Sequence, residues 1–319
     1  MNQHNPDRSG MIVEIDQRST EAKARKLRIR AAVYGVLGLA LWTFFGSLPV
    51  RWASAIGGFV GAYVIYYFPY IQHLRTNLAL IFPEKSDAEH RRIARQMAWN
   101  IGRTSAEYPH LGDLTDPAQS WVTLKGWEVY ERARDEGRPV IFSSGHLANW
   151  ELTAGAGARR GVPVTVVYAP RRSAALERRL QHYRAAMNCG LTPRGDAARP
   201  IVKRLSNKEC VGIIVDQRAD DGIMVPFFGR PAPTTDAPAR LAIKFNAVII
   251  PVECRRLDGP TFEVTFHEAI RPEDMRDQPD LVYAMTMRLN EHLEAWIRDH
   301  PGDWLCRRRR WSKWSPPQS

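Results

Sequence analysis

The sequence predicts an α/β fold: a mostly parallel central sheet flanked by helices, with an apolar, membrane-anchoring helical segment near the N-terminus. Three observations carry that expectation. Short β-branched runs alternate with helix-like segments from about residue 139 onward, a pattern that favours parallel strands joined by helical crossovers. An apolar share of 44% over 319 residues allows a large core. The stretch Ala31–Val50 has 20 residues and no charge, long enough for a helix to cross a hydrocarbon layer.

In chain order, residues 1–22 form a polar leader, 23–80 apolar anchor or interfacial helices, and 81–319 the α/β unit. The flank before Ala31 carries Lys23, Arg25, Lys26, Arg28 and Arg30, which the positive-inside rule places in the cytoplasm. A second apolar stretch, Trp52–Leu74, is interrupted by Pro69. It spans, lies in the interface, or is a buried core helix. Ala53-Ser54-Ala55 looks like a cleavage site, but the charged leader is too long for a signal peptide. A helix is predicted over Asp87–Tyr108, capped by Ser86 or Asp87 and stopped by Pro109. Strands are predicted at Val140–Ser143, Val164–Tyr168, Val211–Val215, Val248–Val252 and Phe262–Phe266. The helices between them are Trp150–Arg160, Ala174–Met187, Ala198–Asn207 and Ala237–Phe245, with a last one over Leu281–Asp299. There is no internal repeat and no low-complexity tract.

The net charge of +11 and pI near 9.7 favour anionic partners: nucleic acid, anionic lipid, or an acidic carrier protein. No nucleic-acid fold signature accompanies the charge. Cys189, Cys210, Cys254 and Cys306 form no C-x-x-C, so neither a disulfide framework nor a zinc site is expected, and a reducing compartment fits. No cofactor or metal is expected. The tail Arg307–Trp314 interleaves arginines with tryptophans; a solvated tail is the alternative, but the aromatic content and the apolar N-terminal segment favour an anionic lipid surface.

The segment Ser143-Ser144-Gly145-His146-Leu147-Ala148-Asn149-Trp150-Glu151 is the main candidate site. It follows the apolar run Pro139–Phe142, so His146 stands where a strand passes into a helix. Positions i and i+5 of one helix lie about 140° apart, so His146 and Glu151 meet only if His146 is in the loop before the helix. A carboxylate on one imidazole nitrogen fixes the tautomer and leaves the other as a base, suited to an alcohol proton. A satisfied structural histidine at a strand end has the same sequence.

Other candidates follow. Asp216 and Gln217 come directly after a strand, where a parallel sheet faces its ligand crevice; a turn-capping Asp is the alternative. Phe227-Phe228-Gly229 lines an apolar cleft or is a hairpin packed on the core. Thr234-Thr235-Asp236 caps the helix bearing Arg240 and Lys244. Tyr168-Ala169-Pro170-Arg171-Arg172 closes the second strand, and Arg184 lies on the next helix. Arg171, Arg172 and Arg184 bind phosphate or form an exposed basic face.

Together these pieces resemble the bacterial lipid A late acyltransferases, the lauroyl and myristoyl transferases of lipopolysaccharide assembly. The resemblance runs from about residue 30 to 314. It includes Arg75-Thr76-Asn77-Leu78-Ala79-Leu80-Ile81-Phe82-Pro83-Glu84, His146 and Glu151 with four residues between, Tyr168-Ala169-Pro170, Asp216-Gln217, Phe227-Phe228-Gly229 and Val248-Ile249-Ile250-Pro251-Val252. It implies a glycerolipid-acyltransferase-like fold. It implies an enzyme of the bacterial inner membrane, its catalytic domain facing the cytoplasm, that moves a fatty acyl group from acyl carrier protein to a hydroxyl of a lipid A precursor. The family's catalytic histidine and glutamate fall on His146 and Glu151, its helix arginine on Arg184 and its acid on Asp216. Arg171, Gln217, Phe227 and Phe228 join them as substrate-binding candidates. The family often ends with Trp, His and paired Arg; here Cys306 stands near that His, and its role does not carry over.

The expected chemistry is direct. A thioester donor is already activated, and His146 would take the proton of a secondary hydroxyl as it attacks, with Glu151 holding the ring. No G-x-S-x-G elbow or marked cysteine calls for an acyl-enzyme. Backbone N–H groups after His146 would hold the oxyanion. Arg184 would meet a phosphate, with Asp216 orienting it. A single span with its basic flank inside would put the enzyme outside, away from a cytoplasmic carrier, so a hairpin or shallow re-entrant anchor is expected. A related acyltransferase acting on a phosphoinositol mannoside or ornithine lipid would share these residues. A non-catalytic, membrane-tethered basic protein that binds nucleic acid or anionic lipid would explain the charge but not three polar residues at strand ends.

Overall fold

In the computed structural model, residues 25, 32–69, 71–171, 173–305 and 308–311 are described. The leader 1–22, most of the basic flank, Arg172, Cys306, Arg307 and the tail beyond Trp311 lie outside them. The strands are β1 (Val122–Lys125), β2 (Val140–Ser144), β3 (Val164–Tyr168), β4 (Gly190–Pro193), β5 (Cys210–Ile214), β6 (Ile223–Phe227), β7 (Arg230–Thr234), β8 (Val248–Arg256) and β9 (Phe262–Phe266). Seven of them form one sheet in the order β1-β9-β8-β2-β5-β3-β4. From β8 to β4 every neighbour is parallel, and β9 reverses against β8. The mostly parallel sheet is therefore as expected, with an antiparallel turn at one edge.

The helices are α1 (Ala32–Gly46), α2 (Val50–Tyr63), α3 (Ile71–Ile81), α4 (Asp87–Glu107), α5 (Leu111–Leu114), α6 (Trp127–Asp135), α7 (Glu151–Ala158), α8 (Ala174–Ala185), α9 (Ala198–Ser206), α10 (Ala237–Phe245) and α11 (Leu281–Asp299). Alternation along the central strands sorts them into layers. Val140 and Phe142 of β2 pack with α5 to α8, while Ile141 packs with α9, α10 and α11. The chain leaves β2 towards β3 and β4 on one side, returns to β5, and later places β8 on the other. β2 and β5 are thus central neighbours whose carboxyl ends open into one crevice.

A third apolar cluster lies beyond those ends. It joins α3, α4 and α11 to Leu147, Val215, Phe227, Phe228, Trp304 and Trp311. Ser86 caps α4 in a reciprocal box with Glu89. α2 lies so close on α4 that a side chain at Gly61 would begin 2.1 Å from the Ala98 carbonyl oxygen, and one at Gly102 would begin 2.0 Å from that of Gly57. Only glycine permits that approach.

The N-terminal expectation needs correction. The helix predicted across Ala31–Val50 stops at Gly46, where Ser47-Leu48-Pro49 break it; a residue before proline is biased out of helix. Among the described residues no single helix is long and apolar enough to cross a membrane. Val50–Tyr67 and Ile71–Ile81 have the length and composition only as a pair, and that pair bends by 87°. In the described part of the tail, Arg308 and Arg309 are exposed, whereas the two residues after them are packed into the protein. Arg310 is buried, donating to the Pro233 carbonyl and Thr234 hydroxyl at 2.6 Å each, and Trp311 packs in the third cluster.

Candidate active site

β2 ends at Ser144, and the loop Gly145–Trp150 leads into α7. Gly145 has no room for a side chain: a Cβ would sit 2.7 Å from Leu293 Cδ2 and 3.4 Å from Asp216 Cβ. His146 stands in that loop, as expected, with its side chain 23% exposed. Its carboxylate partner is Asp216, at 2.7 Å from Nδ1. β5 carries the chain there: Val215 N–H donates to the Ser144 carbonyl at 2.9 Å, and the next residue faces the ring. A carboxylate at Nδ1 requires a proton on that nitrogen, so Nε2 keeps its lone pair.

Asp216 is fully buried, and its second oxygen accepts from Trp304 Nε1–H at 2.9 Å. Burial alone would push its carboxyl up. The His146 ring beside it and the bonds from His146 and Trp304 overcome that and hold it below the usual carboxylate range. The Gln217 amide nitrogen lies 3.3 Å from both ring nitrogens, so it packs on the ring without one directed bond. Trp150 closes another side, with ring centroids 4.9 Å apart.

Glu151 does not hold His146, which corrects the expected pairing. It is buried at the first turn of α7, accepting from Arg184 Nε at 2.9 Å and from the Tyr108 hydroxyl at 3.1 Å. The reason is geometric: Asp216, one strand over, already occupies Nδ1. Arg184 is corrected with it. It is buried, paired with Glu151, and lies over the Tyr168 ring at 5.3 Å. Asp216 therefore orients the histidine, not Arg184. Burial would lower the guanidinium's basicity, but Glu151 reverses this and raises it. Tyr108 is pushed up to about 12 by burial and then by the Glu151 charge. Arg171 is exposed, its backbone N–H held by Glu177 at 2.7 Å.

Phe227 and Phe228 do not line a cleft. Both are buried, and β6 and β7 form the hairpin that was the alternative. Phe228 and Gly229 have φ of 51° and 68°, the left-handed pair of a tight two-residue turn. Glu294 accepts the Phe228 N–H at 2.6 Å, and Arg298 lies over its ring at 4.6 Å.

Several supporting residues were not anticipated. Trp304 is one; a tryptophan in a C-terminal segment gives no hint that its N–H reaches a strand-end acid. That segment also holds the histidine loop as a strap. Leu305 N–H donates to the His146 carbonyl at 2.8 Å, and Ala148 N–H to the Asp303 carbonyl at 2.9 Å. Ala148 has φ of 48°, and its carbonyl accepts from Thr104 at 3.0 Å and Asn100 at 3.3 Å. Beneath it, fully buried Glu107 accepts from Asn149 at 3.0 Å, Ser54 at 2.6 Å and Arg256 at 2.6 Å. The only advance signal for Glu107 was an acid within the buried stripe of a long helix.

Among the described cysteines, Cys189, Cys210 and Cys254, burial disfavours the thiolate that a nucleophile needs. Burial pushes the Cys189 and Cys210 thiols up to about 12 and raises Cys254 as well.

Glu107 behaves like Asp216. Burial would raise it, yet Arg256 and the Ser54 bond bring it below its ordinary value. A carboxyl that titrates lower folded than unfolded contributes stability in full above the ordinary range, near about pH 4, and loses it as pH falls. The melting temperature is therefore expected to fall as the pH is lowered from about 5 to about 3. Replacing Asp216 by Asn should flatten that slope. An unchanged melting temperature across the window would contradict the assignment.

Residues 21–313 match the family described as bacterial lipid A biosynthesis acyltransferase. The chain is similar to the phosphatidylinositol mannoside acyltransferase of Mycolicibacterium smegmatis, at 26% identity over 184 residues, 56% of this chain and 59% of that protein. It thus spans 59% of that relative's length. It is also similar to the lipid A biosynthesis myristoyltransferase of Escherichia coli, at 23% identity over 228 residues and 70% of each chain. The lipid A biosynthesis acyltransferase of Haemophilus influenzae is 20% identical over 279 residues, 84% of each. A solved 1-acyl-sn-glycerophosphate acyltransferase from Thermotoga maritima is similar over 71% of this chain and 94% of its own, at 15% identity and a TM-score of 0.34.

Proposed function

Because the chain belongs to the bacterial lipid A biosynthesis acyltransferase family, we propose that it transfers a fatty acyl group from an acyl carrier protein thioester to a hydroxyl of a lipid A precursor. The observation that carries the chemistry is the Asp216–His146 pair, 2.7 Å apart at Nδ1. Nε2 takes the acceptor's hydroxyl proton as the oxygen attacks the thioester carbonyl. The new C–O bond forms, the C–S bond breaks, and the proton passes from His146 to the departing thiolate. Asp216 holds the ring and stabilises its cationic form meanwhile. Oxyanion donors would be the N–H groups of Asn149 and Trp150 at the start of α7, because those of Leu147 and Ala148 are engaged by Gly145 and Asp303.

The membrane is the second part of the proposal. Val33, Tyr34, Leu37, Leu41 and Phe44 on α1 and Trp52 and Phe59 on α2 are exposed apolar side chains on neighbouring helices. Large apolar side chains exposed in this number on two helices favour a bilayer. In this reading the bent helices lie in the cytoplasmic face of the inner membrane as a shallow anchor, which keeps the site beside a cytoplasmic carrier.

One comparison favours a second acceptor. The mycobacterial relative is named for a phosphatidylinositol mannoside, and the same histidine and acid would serve a sugar hydroxyl. Mass spectrometry of membrane lipids, with and without the gene, separates the two. Loss of one acyl chain from lipid A is the expected result. Loss from a mannosylated phosphoinositide supports the second reading, and an unchanged glycolipid profile overturns both.

A further inference from the structure

The exposed side of α8 is unlike the side that carries Arg184. At its junction with α1 there is an open surface depression of about 430 Å³, lined by Leu39, Ala175 and the exposed side chains of Arg178, Arg179 and His182. α1 is seated there closely. A side chain at Gly35 would meet Ser173, and one at Gly38 would start 2.9 Å from Leu176 Cδ2. Trp42 anchors the far end against Tyr183, with centroids 5.7 Å apart. The seating leaves the outer face of α1 apolar and exposed, immediately beside a basic rim.

No carboxylate lines the depression, and among the described residues neither Arg178 nor Arg179 forms an ion pair. Arg179 is partly ordered by the Tyr183 ring, 5.9 Å from its guanidinium carbon. Two guanidiniums and an imidazole around one concavity make an anion site. Free phosphate or an acidic protein would satisfy the cations but leave the strip of α1 facing water. An amphiphile with a phosphate head and apolar chains covers both.

We propose that this depression binds the phosphate of an anionic bilayer phospholipid, with the acyl chains of that lipid lying along α1. The proposal rests on the membrane placement above and is independent of acyl transfer, since binding requires no turnover. It gives part of the chain's positive charge a specific address.

The test is sedimentation of the purified full chain with two kinds of vesicle: phosphatidylcholine alone, and an equal mixture with phosphatidylglycerol. Wild type should bind both, and the anionic vesicles more tightly. The Arg178→Gln, Arg179→Gln double variant should bind neutral vesicles normally and lose roughly ten- to thirtyfold in affinity for the anionic ones. Arg199→Gln with Lys203→Gln on α9 removes the same charge elsewhere and should lose far less. Equal losses in the two double variants would reduce the effect to net charge and overturn the site. So would an α8 variant that binds anionic vesicles like wild type, even if it raised the KM for an acidic carrier protein, which would make the rim the carrier's. Failure of wild type to bind either vesicle would instead overturn the membrane placement and leave the acyl-transfer reading standing.

Discussion

Replacing His146 by alanine should lower the rate of acyl transfer by roughly 10²- to 10⁴-fold, the range associated with a positioned general base. The fold should survive. The side chain is partly exposed, and the loop is held mainly through its backbone, by Leu305 at the His146 carbonyl and by Asp303, Thr104 and Asn100 at Ala148. Cleavage of the donor thioester in the presence of acceptor gives the rate, and circular dichroism gives the fold. Because the thioester is activated already, the residual rate should come from binding and orientation alone.

The two acids should fail in different ways. Asp216→Asn keeps the shape and still accepts from Trp304, but an amide N–H then faces His146 Nδ1. The imidazole must accept there, its proton moves to Nε2, and the base is lost. A fall of roughly 10²- to 10⁴-fold in turnover with a native-like fold is expected. Glu151→Gln leaves Arg184 buried without its counter-charge, so the main loss should be in stability, about 3–5 kcal/mol. Denaturant unfolding measured beside turnover distinguishes them. If Glu151→Gln abolishes turnover at unchanged stability while Asp216→Asn is active, the original pairing of His146 with Glu151 is restored.

The contrast between these acids also marks where the sequence stops being informative. Strands β3 and β9 and helices α10 and α11 match their expected limits residue for residue, because apolar periodicity and caps are local. β4 and β1 were missed: Gly190–Pro193 carries a glycine and a proline, and Val122–Lys125 is a short edge strand, so neither has the β-branched run that marks a buried strand. The hairpin β6–β7 contains Pro226, Pro231 and Pro233, which demote it as a sheet strand, and it pairs only with itself.

For the site, proximity in sequence misled. His146 and Glu151 are five apart and their side chains diverge, whereas His146 and Asp216 are 70 apart and meet because β2 and β5 are neighbours. Strand order decides that, and a single chain does not encode it in any local pattern. Asp216 as a strand-end acid was legible; its partner was not. Trp304 and the Glu107–Arg256 pair depend on the C-terminal strap and on α4 packing under the loop, and no motif marks either.

The most direct measurement mixes the purified chain with an acyl carrier protein thioester and a glycolipid acceptor and follows protein, donor and acceptor together by mass spectrometry. Direct transfer by His146 requires that the acceptor gain one acyl chain for each carrier thiol released, that no acyl adduct build up on the protein, and that both changes all but vanish in the His146→Ala chain. Equal product from wild type and His146→Ala would contradict the account, as would an acylated protein that hands its chain on to the acceptor.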